Sequence, residues 1–349
     1  MSCNAPVLLL TTMQNFNKIV NKQGMNNFWD KLEKPFFVLA PLANVTDAAF
    51  RSIIAKYSKP AGPHVFWTEF VSADGLVLAT DEGKKKLMRD LLYSEAERPI
   101  VAQLFTSKPE HMEKAAALAQ ELGFDGVDIN MGCPDRSIEK QGAGAKLITT
   151  PELAQEIIAA AKRGAPNLPV SVKTRLGYNK DVLDEWLPKI LAAKPAAVTI
   201  HARTRKEMSL VPARWERVKR AVEIRDEVGS DALILGNGDV EDIAEAQARA
   251  KETGCDGVMI GRGIFGKPWM FSGQPEPELS ARLRIAVEHT RLFEAMLGDI
   301  KNFAIMKKHF KAYVEGFPGA KELRMRMMDA SSSQEIEKLA EDFISVSGR

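Results

Sequence analysis

The chain is short of cysteine, of long apolar runs and of net charge, and each shortage closes off a class of protein. Its three cysteines, Cys3, Cys133 and Cys255, are too few and too scattered for a disulfide framework or a zinc site, which need clustered spacings, so no metal is expected. The apolar run nearest the N-terminus, residues 7–10, falls far short of the roughly 20 residues of a membrane span, and no basic segment precedes it as a secretory signal would require. A cytoplasmic protein without a membrane anchor is expected. No Gly-x-Gly-x-x-Gly fingerprint joins a strand to a helix, so a separate dinucleotide domain is not expected either. The formal net charge of +2 means that a nucleic-acid partner would have to be held by a local excess of charge. What remains is a globular chain, 45% hydrophobic and 27% charged over 349 residues. That length suits a barrel of about 250 residues with an accessory unit.

Short apolar runs at 36–40, 65–70, 100–104, 126–130, 170–173, 197–201, 232–236 and 257–260 alternate with helical patterns. Helix starts are marked by Thr46 and Asp47, by Pro109 and by Pro151. Eight strands alternating with helices imply a parallel sheet covered by helices. An internal echo favours closure: Gly123-Phe-Asp-Gly-Val-Asp-Ile129 recurs as Gly254-Cys-Asp-Gly-Val-Met-Ile260. In each copy a glycine ends a helix, an Asp-Gly turn follows and a buried strand begins. The expectation is an α/β fold, a (β/α)8 TIM barrel over 34–275 followed by a C-terminal all-helical domain over 276–349. Residues 1–33 read as a loosely held extension with one short helix near Phe28 and Trp29 and no chemistry.

In such a barrel the active site lies at the C-terminal ends of the strands. The sequence sets unusual residues there after nearly every run: Pro41, Leu42 and Ala43; Gln103; Asn130 and Cys133; Lys173 and Arg175; His201 and Arg203; Asn237, Gly238 and Asp239; Gly261 and Arg262. The glycine-rich turns after the seventh and eighth strands would present bare backbone N–H groups to a phosphate, with Arg262 adding charge. Lys173 and Gln103 suit a flat heteroaromatic ring, because lysine stabilises negative charge on a reduced flavin and glutamine meets a donor–acceptor edge. FMN answers both ends. Cys133 follows a strand end in a loop of small residues, Gly132, Gly142, Ala143, Gly144 and Ala145, which could move over a substrate. Cys255, at a helix–strand joint on the opposite face, reads as core.

These blocks resemble the dihydrouridine synthase family, flavoenzymes that reduce uridines in tRNA. The likeness runs from about Phe37 to about Asp329, and its most specific part is Asn130-Met-Gly-Cys-Pro followed by Lys140-Gln-Gly-Ala-Gly-Ala-Lys-Leu147. The resemblance implies FMN contacts from Pro41, Leu42, Ala43, Gln103, Lys173, His201, Asn237, Gly238, Asp239, Gly261 and Arg262, and a proton donor in Cys133. It also implies that the C-terminal helices bind tRNA. The chain departs from the family after His201-Ala-Arg-Thr-Arg205, where Ser209, Val211 and Ala213-Arg-Trp215 stand in place of an aromatic residue, a glycine and an Ala-Asp-Trp. That loop lies near the substrate entrance.

Reducing the C5=C6 bond of uracil takes a hydride at C6 and a proton at C5. Reduced FMN would give the first, NADPH would reduce the flavin from the same face, and the Cys133 thiol, with an ordinary pKa of about 8.5, would give the second. Asn130, Arg175 and Arg203 would face the uracil side of the cavity. Holding RNA needs a further surface, because a stacked uridine must be extruded to react. Between residues 281 and 329, ten Lys and Arg stand against six Asp and Glu, a local net of +4. Lys301, Lys307, Lys308, His309 and Lys311, interleaved with Phe303, Phe310 and Tyr313, make the expected RNA face, with Arg324 and Arg326 beyond. No obligatory protein partner is expected. The competing readings are a free-pyrimidine (dihydroorotate-type) FMN oxidoreductase and a non-catalytic flavin-carrying RNA-binding module.

Overall fold

All eight apolar runs become parallel strands in the computed structural model, which describes residues 27–347. The strands are β1 Phe36–Leu39, β2 Phe66–Trp67, β3 Val71–Ser72, β4 Ile100–Phe105, β5 Gly126–Met131, β6 Val170–Arg175, β7 Ala197–His201, β8 Leu233–Asn237 and β9 Gly257–Ile260. Their order is β1-β9-β8-β7-β6-β5-β4-β2, with β3 also paired to β4. Two backbone hydrogen bonds bridge the remaining seam, from Leu39 N to Val65 O at 3.1 Å and from His64 N to Phe37 O at 2.9 Å. The sheet therefore curls into a (β/α)8 barrel.

The second strand differs from expectation: of the run 65–70 only Phe66–Trp67 is strand (β2), and pairing resumes beyond the run at Val71–Ser72 (β3). Thr68 is the cause, because its hydroxyl accepts the N–H of Gln103 at 3.1 Å and donates to Glu69 O at 2.8 Å, replacing the backbone ladder. Register carries the other rim residues to one end. Asn130 is paired with Lys173, Arg175 with His201, and His201 with Asn237.

The extension is also less loose than expected where it is described. Phe28–Lys31 forms a single 3-10 turn. Phe28 and Trp29 are buried with Phe36, Trp67, Leu235 and Met259 in the barrel interior. A Cβ on Gly126 would come within 3.3 Å of the Phe28 ring, so the absence of a side chain there makes room for this seal. Residues 1–26, with Cys3, lie outside the described residues.

After the barrel come the helices Leu279–Leu297, Lys307–Tyr313, Ala320–Asp329 and Ser333–Ser347. Their buried side chains, among them Phe293, Phe310, Tyr313 and Met327, form a core shared with Ala49 and Ile53 of the barrel helix Ala48–Ser58. Tyr57 donates to Glu288 at 2.6 Å, fastening the two. Among the described residues no helix is long and apolar enough to cross a membrane.

Candidate active site

The floor of the site is built on Asp128, which points inward from β5 and is fully buried. Ser171 Oγ and Gln103 Nε2 each donate to its carboxylate at 2.6 Å. Burial nevertheless pushes Asp128 up to about 6, because desolvation of the charged form outweighs those two bonds. Gln103 in turn accepts from Asn130 Nδ2 at 3.1 Å, and Asn130 Oδ1 accepts the N–H groups of Gly132 and Cys133 at 3.1 and 2.9 Å. A chain of polar contacts thus runs from the barrel interior to the backbone of the cysteine.

Cys133 is held rather than loose. Its carbonyl accepts from Ala145 N at 2.9 Å, and Gly132 O accepts from Arg175 Nε at 2.7 Å. Arg205 clasps Glu139 at the far side of the loop, with Nε 2.6 Å from Oε1. The small residues that suggested mobility serve close packing: Gly144 has φ +63°, and a Cβ there would lie 2.8 Å from Cys133 O. Burial pushes the Cys133 thiol above its ordinary range, against a hydrogen bond from the Asp135 backbone that favours the thiolate. The thiol is therefore protonated at neutral pH.

Across the barrel Lys173 Nζ donates to Asn237 Oδ1 at 3.2 Å, while Asn237 Nδ2 donates to Met259 O at 2.8 Å. Burial, with help from the Arg175 charge, brings Lys173 down to about 8. His201 is held well below its usual range, by burial first and by the surrounding Arg175 and Lys173 charges, and is neutral.

Asp239 takes Arg262 Nη2 at 3.1 Å, Ala213 N at 2.9 Å and the guanidinium of Arg203. Its carboxylate is thereby turned away from the turn's own N–H groups. Those of Gly238, Asp239, Arg262 and Gly263 find no acceptor among the described residues. Orphan N–H groups at two adjacent glycine turns, beside the Arg262 guanidinium, form an anion cradle of the kind that binds phosphate. The donor set fits a phosphate-bearing planar cofactor, with Lys173 and Gln103 further into the same cavity.

That cavity has a volume of about 970 Å³. It is lined by all the residues expected to touch cofactor, by Cys133, Asn130, Arg175 and Arg203, and by Lys308 and Lys311. Asn130 and Arg203 have most of their polar atoms engaged by the protein, so they brace the rim. Arg203 is nearly fully buried and donates to Asp239 and to Val211 O. Arg175 is bound to Gly132 O, Thr204 O and Met208 O. Of the expected RNA lysines, Lys307 is exposed and lies outside the cavity lining.

The basic helix is narrower than its sequence suggested. Lys301 is buried in ion pairs with Glu69 and Asp90, at 2.5 and 2.8 Å. His309 is buried against Phe50 and His289, and desolvation brings it down to about 3, so it carries no charge. Phe310 and Tyr313 belong to the helical core, and Arg324 donates to Val314 O at 3.1 Å. Sequence reasoning missed Asp128, and among the lining residues Phe70 and Lys267. Asp128 is the one charged residue of its strand, the signal that could have marked it. Phe70 was absorbed into the apolar run 65–70, and Lys267 stands in a loop with no pattern.

Fold and rim together define a (β/α)8-barrel enzyme whose chemistry lies at the C-terminal ends of its strands. The comparisons with known proteins narrow the class. The family model described as dihydrouridine synthase matches residues 38–347. The chain is 41% identical over 320 residues to a probable tRNA-dihydrouridine synthase of Staphylococcus aureus (strain COL), covering 91% of this chain and 95% of that protein. It is 42% identical over 320 residues to probable tRNA-dihydrouridine synthase 2 of Bacillus subtilis (strain 168), covering 91% and 96%. The chain belongs to the dihydrouridine synthase family. Among solved structures, histamine dehydrogenase from Rhizobium sp. 4-9 superposes with a TM-score of 0.49 at 13% identity, over 78% of this chain and 50% of that one. That likeness is too distant to bear on function.

Proposed function

We propose that the protein reduces the C5=C6 bond of uridines in tRNA to 5,6-dihydrouridine in the cytoplasm, with FMN as its bound cofactor and NADPH as electron donor. One observation carries this reading: Cys133 and the open N–H groups of the two glycine turns face a single cavity of about 970 Å³. Ligand pockets run to about 300–1,000 Å³, so this one has room for a mononucleotide cofactor and an extruded base together. Residues 34–275 would form the catalytic unit and 276–349 the RNA-binding unit.

FMN, once bound and reduced, supplies the hydride that uracil needs at C6, the end of the double bond made electron-poor by the C4 carbonyl. The chain's own residues do the rest. Gly238, Asp239, Gly261, Arg262 and Gly263 hold the phosphate, and Lys173 balances negative charge on the ring. The Cys133 thiol, kept protonated by burial, gives its proton to C5 as the general acid. His201 is neutral and carries no spare charge for that task. Lys308 and Lys311, from the C-terminal helices, line the same cavity, where they meet the phosphates flanking the base. A reductase of free pyrimidines would have no use for them. The named relatives carry tRNA in their names, which supports the same substrate here.

The test is direct. Purified protein takes up one FMN per chain and, given NADPH and unmodified tRNA, forms dihydrouridine. Protein that binds no FMN on titration, or leaves every tRNA offered unreduced, would sink the reading.

A further inference from the structure

Among the described residues seven large apolar side chains are exposed, and three of them lie within four positions: Met208 at 41%, Leu210 at 85% and Val211 at 38%. Scattered apolar residues on a surface are ordinary, whereas a cluster marks contact with something. This cluster adjoins the active-site cavity, because Ser209, between Met208 and Leu210, lines it.

The tip is also stiff. Met208 has φ +55°, a left-handed conformation that a side-chain-bearing residue adopts only when its surroundings impose it. They do so here through Arg175 Nη1, which donates to Met208 O at 2.9 Å, while Leu210 N donates to Glu207 O at 2.9 Å. Glu207 is itself fixed by Thr204 N at 2.6 Å and Arg214 at 2.8 Å, and Val211 O receives Arg203 Nε at 2.5 Å. Two arginines of the active-site rim therefore spend their donors on holding an apolar tip out into water. Among the described residues none of the three side chains belongs to a core cluster.

We propose that Leu210, flanked by Met208 and Val211, is a wedge that enters the RNA stack at the position left by the extruded uridine. This rests on the RNA-reducing function proposed above. Extrusion leaves a gap beside unstacked bases, and proteins fill such gaps with apolar side chains pressed between base steps. A rigid tip suits the task, since a floppy one would have to be ordered at the moment of binding. A protein partner is the poorer fit. Three side chains fall far short of the roughly 800 Å² per partner that a stable protein interface buries. Leu210 is thus a positioning residue. It touches no reacting atom, and its effect is to keep the uridine out of the stack.

The test uses the FMN-loaded full chain and unmodified tRNA transcripts carrying 2-aminopurine next to one uridine at a time. Parent protein raises the fluorescence beside the extruded uridine. Leu210→Ser should cut that rise about tenfold, because the extruded state then loses the contact that offsets unstacking, and Leu210→Met should restore it. The loss of single-turnover reduction in Leu210→Ser should be at least several times larger on the folded transcript than on an unstructured uridine-containing oligoribonucleotide. Equal fluorescence and equal loss on both substrates would overturn the wedge while leaving the reductase reading intact. A change in oligomeric state with no change in fluorescence would assign the tip to protein contact and overturn it as well. If the parent neither raises fluorescence beside any uridine nor forms dihydrouridine, the function itself fails and the wedge with it.

Discussion

The two echoed segments, 123–129 and 254–260, are alike at the bottom of the barrel and unlike at the top. At the bottom each begins with a glycine of positive φ, +78° for Gly123 and +69° for Gly254. Each then uses an aspartate in the same way. Asp125 accepts Ile100 N at 2.8 Å and Arg98 Nη1 at 2.9 Å, and Asp256 accepts Ile234 N at 2.8 Å and Arg225 Nη1 at 2.7 Å. Each aspartate thus pins the start of the neighbouring strand. At the top, the first copy runs into Asn130 and the Cys133 loop, and the second into Gly261, Arg262 and Gly263. One end of the repeat is kept for stability while the other has become two different halves of a site, as the division of labour in such barrels requires.

The largest effect that should separate the halves lies in their cysteines. Both thiols are pushed above the ordinary range by burial, so protonation alone does not distinguish them. Position does: Cys133 lines the cavity, and Cys255 donates to Gly257 O at 3.2 Å in the core. Cys133→Ala should slow flavin reoxidation by RNA in a single turnover by about 10²-fold or more, the usual contribution of a general acid. NADPH oxidation should continue. Cys255→Ala should leave both half-reactions at the parental rate and lower only the melting temperature. RNA reduction at the parental rate in Cys133→Ala would end the assignment of that loop.

Glycines of the second copy give the next contrast. A Cβ on Gly263 would lie 2.4 Å from Val240 O, whereas one on Gly254 would meet nothing within 4 Å. Gly263→Val must therefore shift the phosphate cradle, and FMN affinity measured by fluorescence titration should fall about 10-fold or more, the worth of one or two hydrogen bonds to a charged group. Gly254→Ala pays only for backbone strain of roughly 1 kcal/mol and should keep parental FMN affinity. Equal affinities in the two variants would remove the cradle from the binding site.

A third contrast depends on pH. Lys173, brought down to about 8 chiefly by desolvation, loses its proton as pH rises through that value, and the cavity then loses a positive charge. FMN binding should weaken between about pH 7 and 9, while Lys173→Arg should flatten this fall because arginine stays charged. An unchanged slope in Lys173→Arg would show that another group titrates.

Much of this was legible in the sequence, for physical reasons that also explain the rest. Strands such as β1 and β9 fall on the apolar runs, because burial on both faces leaves no polar residue to blur them. Rim residues stand out where a polar side chain directly follows such a run. The break between β2 and β3 was hidden, since it depends on a hydrogen bond that Thr68 Oγ1 accepts from Gln103 N, 35 positions away. Lys301 and His309 were misread for the same kind of reason. Local charge cannot tell a solvated lysine from one paired with Glu69, 232 residues earlier, and a histidine between lysines looks cationic until its burial against His289 and Phe50 is known.

The smallest expected effect is confined to stability and tests the shared end of the repeat. Removing either aspartate leaves one strand N–H without its acceptor and takes one of several partners from an arginine, so each loss should cost about 1–3 kcal/mol. The two should not be equal. The Asp256 side chain is 7% exposed and also takes Lys34 at 2.7 Å, whereas that of Asp125 is 27% exposed, so solvent replaces the lost partner more readily at Asp125. Asp256→Ala should therefore lower the melting temperature more than Asp125→Ala, by a few degrees at roughly 2–4 °C per kcal/mol for a domain of this size. Neither should change the FMN dissociation constant, because both groups lie at the end of the barrel away from the cavity. If Asp256→Ala weakened FMN binding by more than its melting temperature explains, the bottom of the barrel would be coupled to its site and the division between the two ends would not hold.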